Sequence, residues 1–167
     1  MQTFATLIDS VRDRLYRLAL RMTGDGSEAE DVVQEVLIRG WQRQDEIVRL
    51  DNPPAWLLKM THNRAIDLLR SRKTRSAYER AAAPDDACNL TPHRLVETED
   101  TLFHIRRQME KLPVDQRTVL QLREVEGMSY REITDVTGLK MEQVKVYLHR
   151  GRQRMRELLL KERIVDR

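Results

Sequence analysis

The residues best equipped for chemistry crowd the segment 140–152. Lys140, Gln143, Lys145, Tyr147, His149, Arg150 and Arg152 stand there, and Glu142 is the sole acid between Lys140 and Arg156. Gln143, Lys145 and His149 have the donors and acceptors that suit base edges in a major groove. Arg150, Arg152, Arg154 and Arg156 form a cationic run suited to phosphates. A second group stands near the N-terminus. Asp31, Gln34, Glu35 and Ile38 are spaced 0, 3, 4 and 7, so a helix would put them on one face. Such a face either pairs with cations on a partner or merely solvates its helix. Enzyme chemistry finds no equivalent: glycine-rich phosphate loops and nucleophile motifs are absent. His62, His93, His104 and His149 are scattered, and Cys88 lacks a second ligand pair, so neither a metal site nor a cofactor is expected.

These groups must be held by helices. Phe4, Leu7, Ile8, Val11, Leu15, Leu18, Ala19 and Met22 recur at helical spacing over about 4–22, and Gly24-Asp25-Gly26 ends that pattern. Ser27–Glu30 reads as a capping box opening a second helix, with Ala29, Val32, Val33, Val36, Leu37 and Trp41 on one side. Residues 42–52 read as a polar loop. Asn52-Pro53 is a good N-cap and first-turn pair for a third helix to about Lys73, burying Leu57, Leu58, Thr61, Ala65, Leu68 and Leu69. The stretch 74–91 is small, polar and aperiodic, as in a flexible linker. Thr91-Pro92 can start the next helix, along Leu95, Leu102, Ile105, Met109 and Leu112, which Pro113 breaks. A helix at about 114–125 follows. Ser129–Glu132 is a second capping box, opening a short helix that Gly138 ends before a long one at about 141–161. Residues 129–150 thus have the arithmetic of a helix-turn-helix. The fold class is all-α: two small helical domains, 1–75 and 95–167, joined by a flexible linker at 76–94.

Composition agrees. The chain has 167 residues, 34% of them charged, with a net charge of +3 that hides segregation. Residues 1–52 sum to −3, 53–75 to +5, 76–101 to −4 and 102–167 to +5. Charge alone fits equally well two contacts with a polyanion or a pair of solvated helix faces. No apolar run approaches the roughly 18 residues of a membrane span. The N-terminus lacks a secretory pattern, and one cysteine cannot form an internal disulfide. The chain is expected to be soluble and cytoplasmic.

With these elements in place, nearly the whole chain, about 4–162, resembles the extracytoplasmic-function sigma factors of bacterial RNA polymerase. Four segments carry the resemblance, in the family's order: SEAEDVVQEVLIRGW (27–41), PAWLLKMTHNRAIDLLRSR (54–72), LPVDQRTVLQLR (112–123) and GMSYREITDVTGLKMEQVKVYLHRGR (127–152). The resemblance implies a non-enzymatic subunit with no small-molecule substrate. It would bind core RNA polymerase, through the largest subunit's clamp helices and the second-largest subunit's flap, and direct initiation at promoter DNA. An anti-sigma factor would hold it, in some members at the inner membrane. The chain would be a monomer when free, or bound 1:1 to that partner.

The resemblance also assigns roles. Asp31, Gln34, Glu35 and Ile38 match the clamp-binding face. The loop 42–52 and Asn63 match a pocket for a base flipped from the melted −10 strand, with Lys59, Arg64 and Arg70 as backbone contacts. Trp56 stacks there or, more ordinarily for its type, packs in the core, as does Trp41. Asp67 reads a base or pairs with Arg64 or Arg70. Lys140, Gln143, Lys145, Tyr147, His149, Arg150 and Arg152 match the −35-reading helix. Its opening, Met141-Glu142-Gln143, and the pair Val146-Tyr147 depart from the family's usual residues, which leaves the −35 sequence open. Two other classes fit parts of the chain: a free-standing helix-turn-helix regulator, which needs neither a clamp face nor a melting helix, and a helical adaptor, against which the arginine run argues.

Overall fold

A computed structural model of the chain describes residues 3–82 and 100–165. Among them are eight α-helices, one π-helical turn and no strand. The N-terminal module holds α1 (Phe4–Thr23), α2 (Gly26–Gln42), α3 (Gln44–Ile47) and α4 (Pro53–Ala82). The C-terminal module holds α5 (Asp100–Glu110), α6 (Val114–Leu120), the π-helical turn Gln121–Val125, α7 (Tyr130–Thr137) and α8 (Met141–Val165).

The apolar stripes became the core. Leu7, Val11, Leu15, Leu18, Ala19 and Met22 of α1 close on Val32, Val33 and Val36 of α2 and on Leu57, Leu58, Thr61 and Ala65 of α4. In the second module Val119, Leu120 and Leu122 meet Ile133, Val136, Val144 and Leu148. Each buried Val, Leu, Ile or Met among them contributes roughly 1.5–3 kcal/mol on burial.

Several boundaries differ from the sequence reading. The Ser27–Glu30 capping box does not form: Asp25 is the N-cap of α2, its carboxylate accepting from the Glu28 N–H at 2.9 Å. Asp25 competes well because an aspartate caps as effectively as a serine and its charge suits the helix N-terminus. The second box forms as read, with Ser129 Oγ accepting from the Glu132 N–H and Glu132 Oε2 accepting from the Ser129 N–H. Asn52 Oδ1 accepts from the Ala55 N–H and caps α4. That helix runs on to Ala82, past the expected stop at Lys73. Nothing from Thr74 to Ala82 breaks a helix, and Ser, Ala, Arg and Glu propagate one without an apolar stripe. The rest of the expected linker, 83–94, lies outside the described residues, as do the proposed start at Thr91-Pro92 and Leu95. The loop 42–52 contains α3, anchored by buried Ile47. The single helix expected at 114–125 switches to π geometry at Gln121. Gly138, with φ +73°, supplies the left-handed residue that turns the chain from α7 into α8.

The modules are not held apart. Helix α1 packs against α6 and the π-helical turn, and α4 packs against α7.

Candidate polymerase and promoter interface

On α2, Asp31, Gln34 and Ile38 are exposed, Ile38 at 60%. Valines on the opposite face anchor the helix, so these three point outward together. Glu35 is half-buried and already engaged: Arg39 Nη2 lies 2.7 Å from its carboxylate, and Arg64 of α4 donates to its other oxygen. Trp41 was expected in the core. It is instead 55% exposed, with its ring edge-on to Phe4 at 5.6 Å between centroids. The reason is local: Gly40, not Trp41, faces Phe4 and Leu57. Ile38 and Trp41 thus form an apolar end to an otherwise polar face.

On α4, Lys59, Asn63, Asp67 and Arg70 are all exposed. Steps of four, four and three residues line them up on one stripe. Asp67 and Arg70 are only loosely paired at 4.0 Å. Trp56 begins the stripe, half-buried against the core, with the Arg43 guanidinium 5.7 Å from its ring centroid. Arg64 does not join the stripe, because it turns to α2 and Glu35. Arg72 is likewise committed, to Glu28 and to the Thr23 carbonyl. Next to Asn63, His62 is buried. Desolvation holds its imidazole below the ordinary range, against a weak hydrogen bond to Asn63 Oδ1 and the charge of Asp115.

On α8, Val144, Leu148 and Gly151 seat the helix, and the opposite face is open. At about 100° per residue, Lys145, His149, Arg152 and Arg156 share that face with Glu142, Val146 and Gln153. Gln143, Arg150 and Arg154 sit on the adjoining flank. His149, Arg152, Gln153 and Arg156 line a shallow groove. Two expected readers are occupied elsewhere. Gln143 Oε1 accepts from the Lys140 N–H at 2.9 Å, which caps α8. Tyr147 is half-buried against the core rather than presented outward. Arg152 is exposed but paired with Glu124 of the π-helical turn at 2.6 Å, and that hydrogen bond raises its already high pKa. Val146, three residues before His149 and not singled out as a contact in the sequence, is 41% exposed on the same open face. Among the described residues no group of His, Cys, Asp and Glu could hold a metal ion, and no helix is long and apolar enough to cross a membrane.

Comparison with known proteins matches these modules separately. Residues 7–75 match the model of Sigma-70 region 2, and residues 102–155 that of Sigma-70, region 4. The chain is 34% identical over 139 residues to the ECF RNA polymerase sigma factor SigL of Mycobacterium tuberculosis, covering 81% of this chain and 76% of that protein. It is 29% identical over 165 residues to SigW of Bacillus subtilis, covering 93% and 88%. Against SigE of Mycolicibacterium smegmatis identity is 32% over 166 residues, and the match spans 96% of this chain but 63% of that protein's length. Among solved structures, the sigma factor RpoE in complex with the anti-sigma factor NepR from Bartonella quintana superposes with a TM-score of 0.75 at 25% identity, covering 93% of this chain and 96% of the other. CnrH in complex with the cytosolic domain of CnrY gives 0.64 at 24%, a likeness of fold. Region 2 stands before region 4 in this chain, each on its own helical module with an open polar face, and with relatives 32–34% identical over most of its length the chain belongs to the ECF RNA polymerase sigma factors.

Proposed function

We propose that the chain binds core RNA polymerase and directs it to promoters whose −35 and −10 elements it reads with separate modules. The observation that carries this reading is the pair of open stripes, Lys59–Asn63–Asp67–Arg70 on α4 and Lys145–His149–Arg152–Arg156 on α8, each on the module that matches the corresponding sigma region. Asp31, Gln34 and Ile38, extended by Trp41, form the clamp-binding face. Glu35 supports it by tying α2 to Arg64, and this tie also fixes the −10 helix against the clamp face.

In the −10 module Asn63 supplies a donor and an acceptor to an extruded base, while Lys59 and Arg70 hold the strand. Extrusion costs a few kcal/mol of stacking, which base contacts offset. In the −35 module His149 and Lys145 read base edges and Val146 offers a methyl-sized apolar contact of the kind thymine accepts. Arg150, Arg152 and Arg156 hold phosphates, with Arg152 exchanging Glu124 for DNA. The chain does no bond chemistry; the polymerase does it. The complex of the RpoE neighbour with the anti-sigma factor NepR supports control by an anti-sigma factor, which would act by covering these faces.

The test is association followed by opening. The chain should form a 1:1 complex with core polymerase, and Ile38→Glu should abolish it. Asn63→Ala should leave closed promoter complexes intact and impair opening. Failure of the unmodified chain to bind core polymerase overturns the reading, and equal loss of closed and open complexes removes Asn63 from the pocket.

A further inference from the structure

Glu126 follows the π-helical turn of the C-terminal module, yet its side chain is only 2% exposed because α1 of the other module covers it. Three side chains donate to it: Arg14 Nε at 3.1 Å, Arg17 through Nε at 2.9 Å and Nη2 at 3.0 Å, and Gln121 Nε2 at 3.3 Å. Around this centre Arg21 Nε donates to Gln121 Oε1 at 3.2 Å, and Arg117 Nη2 donates to the Met22 carbonyl at 2.7 Å. The last contact places a guanidinium against the C-terminus of α1, where a helix favours a cation. A buried carboxylate is tolerated only when paired, and bidentate arginine pairing is the strongest form available. Within its own module Glu126 has Gln121; both of its charged partners come from the other module.

This closed arrangement is incompatible with bipartite promoter reading, on which the present inference rests. Elements near −35 and −10 are about 25 base pairs apart, roughly 85 Å at 3.4 Å per pair. A compact chain of this length has a radius of gyration of roughly 15 Å. The stripes on α4 and α8 are both open in the closed form, so either module alone can meet its element, but the two cannot be engaged together. The residues between Ala82 and Asp100 can span roughly 60 Å at full extension, so the covalent chain permits separation.

We propose that Glu126, clasped by Arg14 and Arg17, is an intramolecular latch that keeps the free sigma factor closed until core polymerase parts its two modules. The latch is electrostatic, and Arg14, Arg17 and Glu126 belong to none of the clamp face, the α4 stripe and the α8 stripe, so each can be replaced without replacing a residue of those surfaces. Small-angle scattering of the full chain at low salt should give a radius near the compact value. Glu126→Arg should raise the open fraction roughly tenfold or more, as loss of a buried charge partner does, with a larger radius and faster association with core polymerase. The double variant Arg14→Glu/Arg17→Glu should open the chain in the same way. Combining all three substitutions should restore the compact radius. Circular dichroism of each variant shows whether its helices remain, which separates opening from misfolding. The proposal is overturned if the unmodified chain already scatters as an extended pair, if Glu126→Arg leaves the radius unchanged, or if the triple variant fails to close. Scattering needs neither polymerase nor DNA, so these outcomes stand apart from any failure of the promoter-reading function.

Discussion

Gly151 fixes how α8, and with it the stripe Lys145–His149–Arg152–Arg156, seats on α6. A Cβ at that position would lie 2.8 Å from Leu120 Cδ1 and 3.1 Å from its Cγ. Leu120 is buried and cannot simply swing away. Two effects oppose each other in Gly151→Ala. Alanine in a helix interior is better than glycine by about 1 kcal/mol. Overpacking a filled contact costs about 1–3 kcal/mol. With close contacts at both Leu120 atoms the second effect wins, for a net destabilisation of about 1 kcal/mol. In a Leu120→Ala background the obstruction is gone, although that change itself costs about 2–5 kcal/mol. There the same Gly151→Ala should stabilise by about 1 kcal/mol, because only the helix preference remains. The coupling is then about 2 kcal/mol, within the span measured for residues in contact. Urea unfolding followed by far-UV circular dichroism on the four proteins of the cycle gives these values. Equal stabilisation by Gly151→Ala in both backgrounds would refute the reasoning, since it would mean that Leu120 does not set the α8–α6 approach.

Other outcomes follow from single contacts. Ser129→Ala removes the hydroxyl half of the α7 capping box and should lower stability by about 1 kcal/mol in the same unfolding assay; Ser129→Asp should restore most of it. Lys145→Ala should weaken −35 duplex binding by about 1–3 kcal/mol and relax base preference at the contacted position, and unchanged binding would clear it of that role. Gln143→Ala should cost helix stability and leave base preference unchanged, and a shifted preference would show that Gln143 reads DNA rather than caps α8. Burial depresses His62, and for Glu126 the opposing effect of burial is outweighed by Arg17, Arg14 and Gln121, so its carboxyl too is held below the usual range. Both folded-state values lie below the unfolded ones, so both contributions are complete at neutral pH and are lost on acidification. The urea midpoint should fall in one step below His62's ordinary 6.5 and in a second below Glu126's ordinary 4.5; a midpoint that rises between pH 7 and 6 would contradict this.

Periodicity was enough to find the helices that carry the site. Leu7 to Met22, Val32 to Val36 and Leu57 to Ala65 are buried as their spacing requires, because a stripe recurring every three or four residues has one way to leave water. Caps were legible only where one candidate stood alone: Ser129 had no rival, whereas Ser27 lost to Asp25 two residues earlier. The end of α4 was not legible, since a polar helix extension and a linker differ little in composition. On the site itself, the resemblance named Lys59, Asn63, Asp67, Arg70, Lys145 and His149 as contacts, and all six are exposed. It could not show that Arg64 would turn to Glu35, that Gln143 would cap its own helix or that Tyr147 would fold inward, because those choices depend on neighbours brought by packing. The docking of the modules was invisible for the same reason. Arg14, Arg17 and Glu126 read as ordinary surface charges until folding brings them together across more than a hundred residues.

The central claim, that one chain reads two separated elements on behalf of a polymerase, is tested most directly by run-off transcription. The purified chain and core polymerase would be given genomic DNA from the source cell, and the RNA 5′ ends mapped. The account predicts discrete starts, each preceded by the same two sequence blocks at a fixed spacing, with Lys145→Ala weakening dependence on the upstream block and Asn63→Ala on the downstream one. Starts no different from those of core polymerase alone would contradict it.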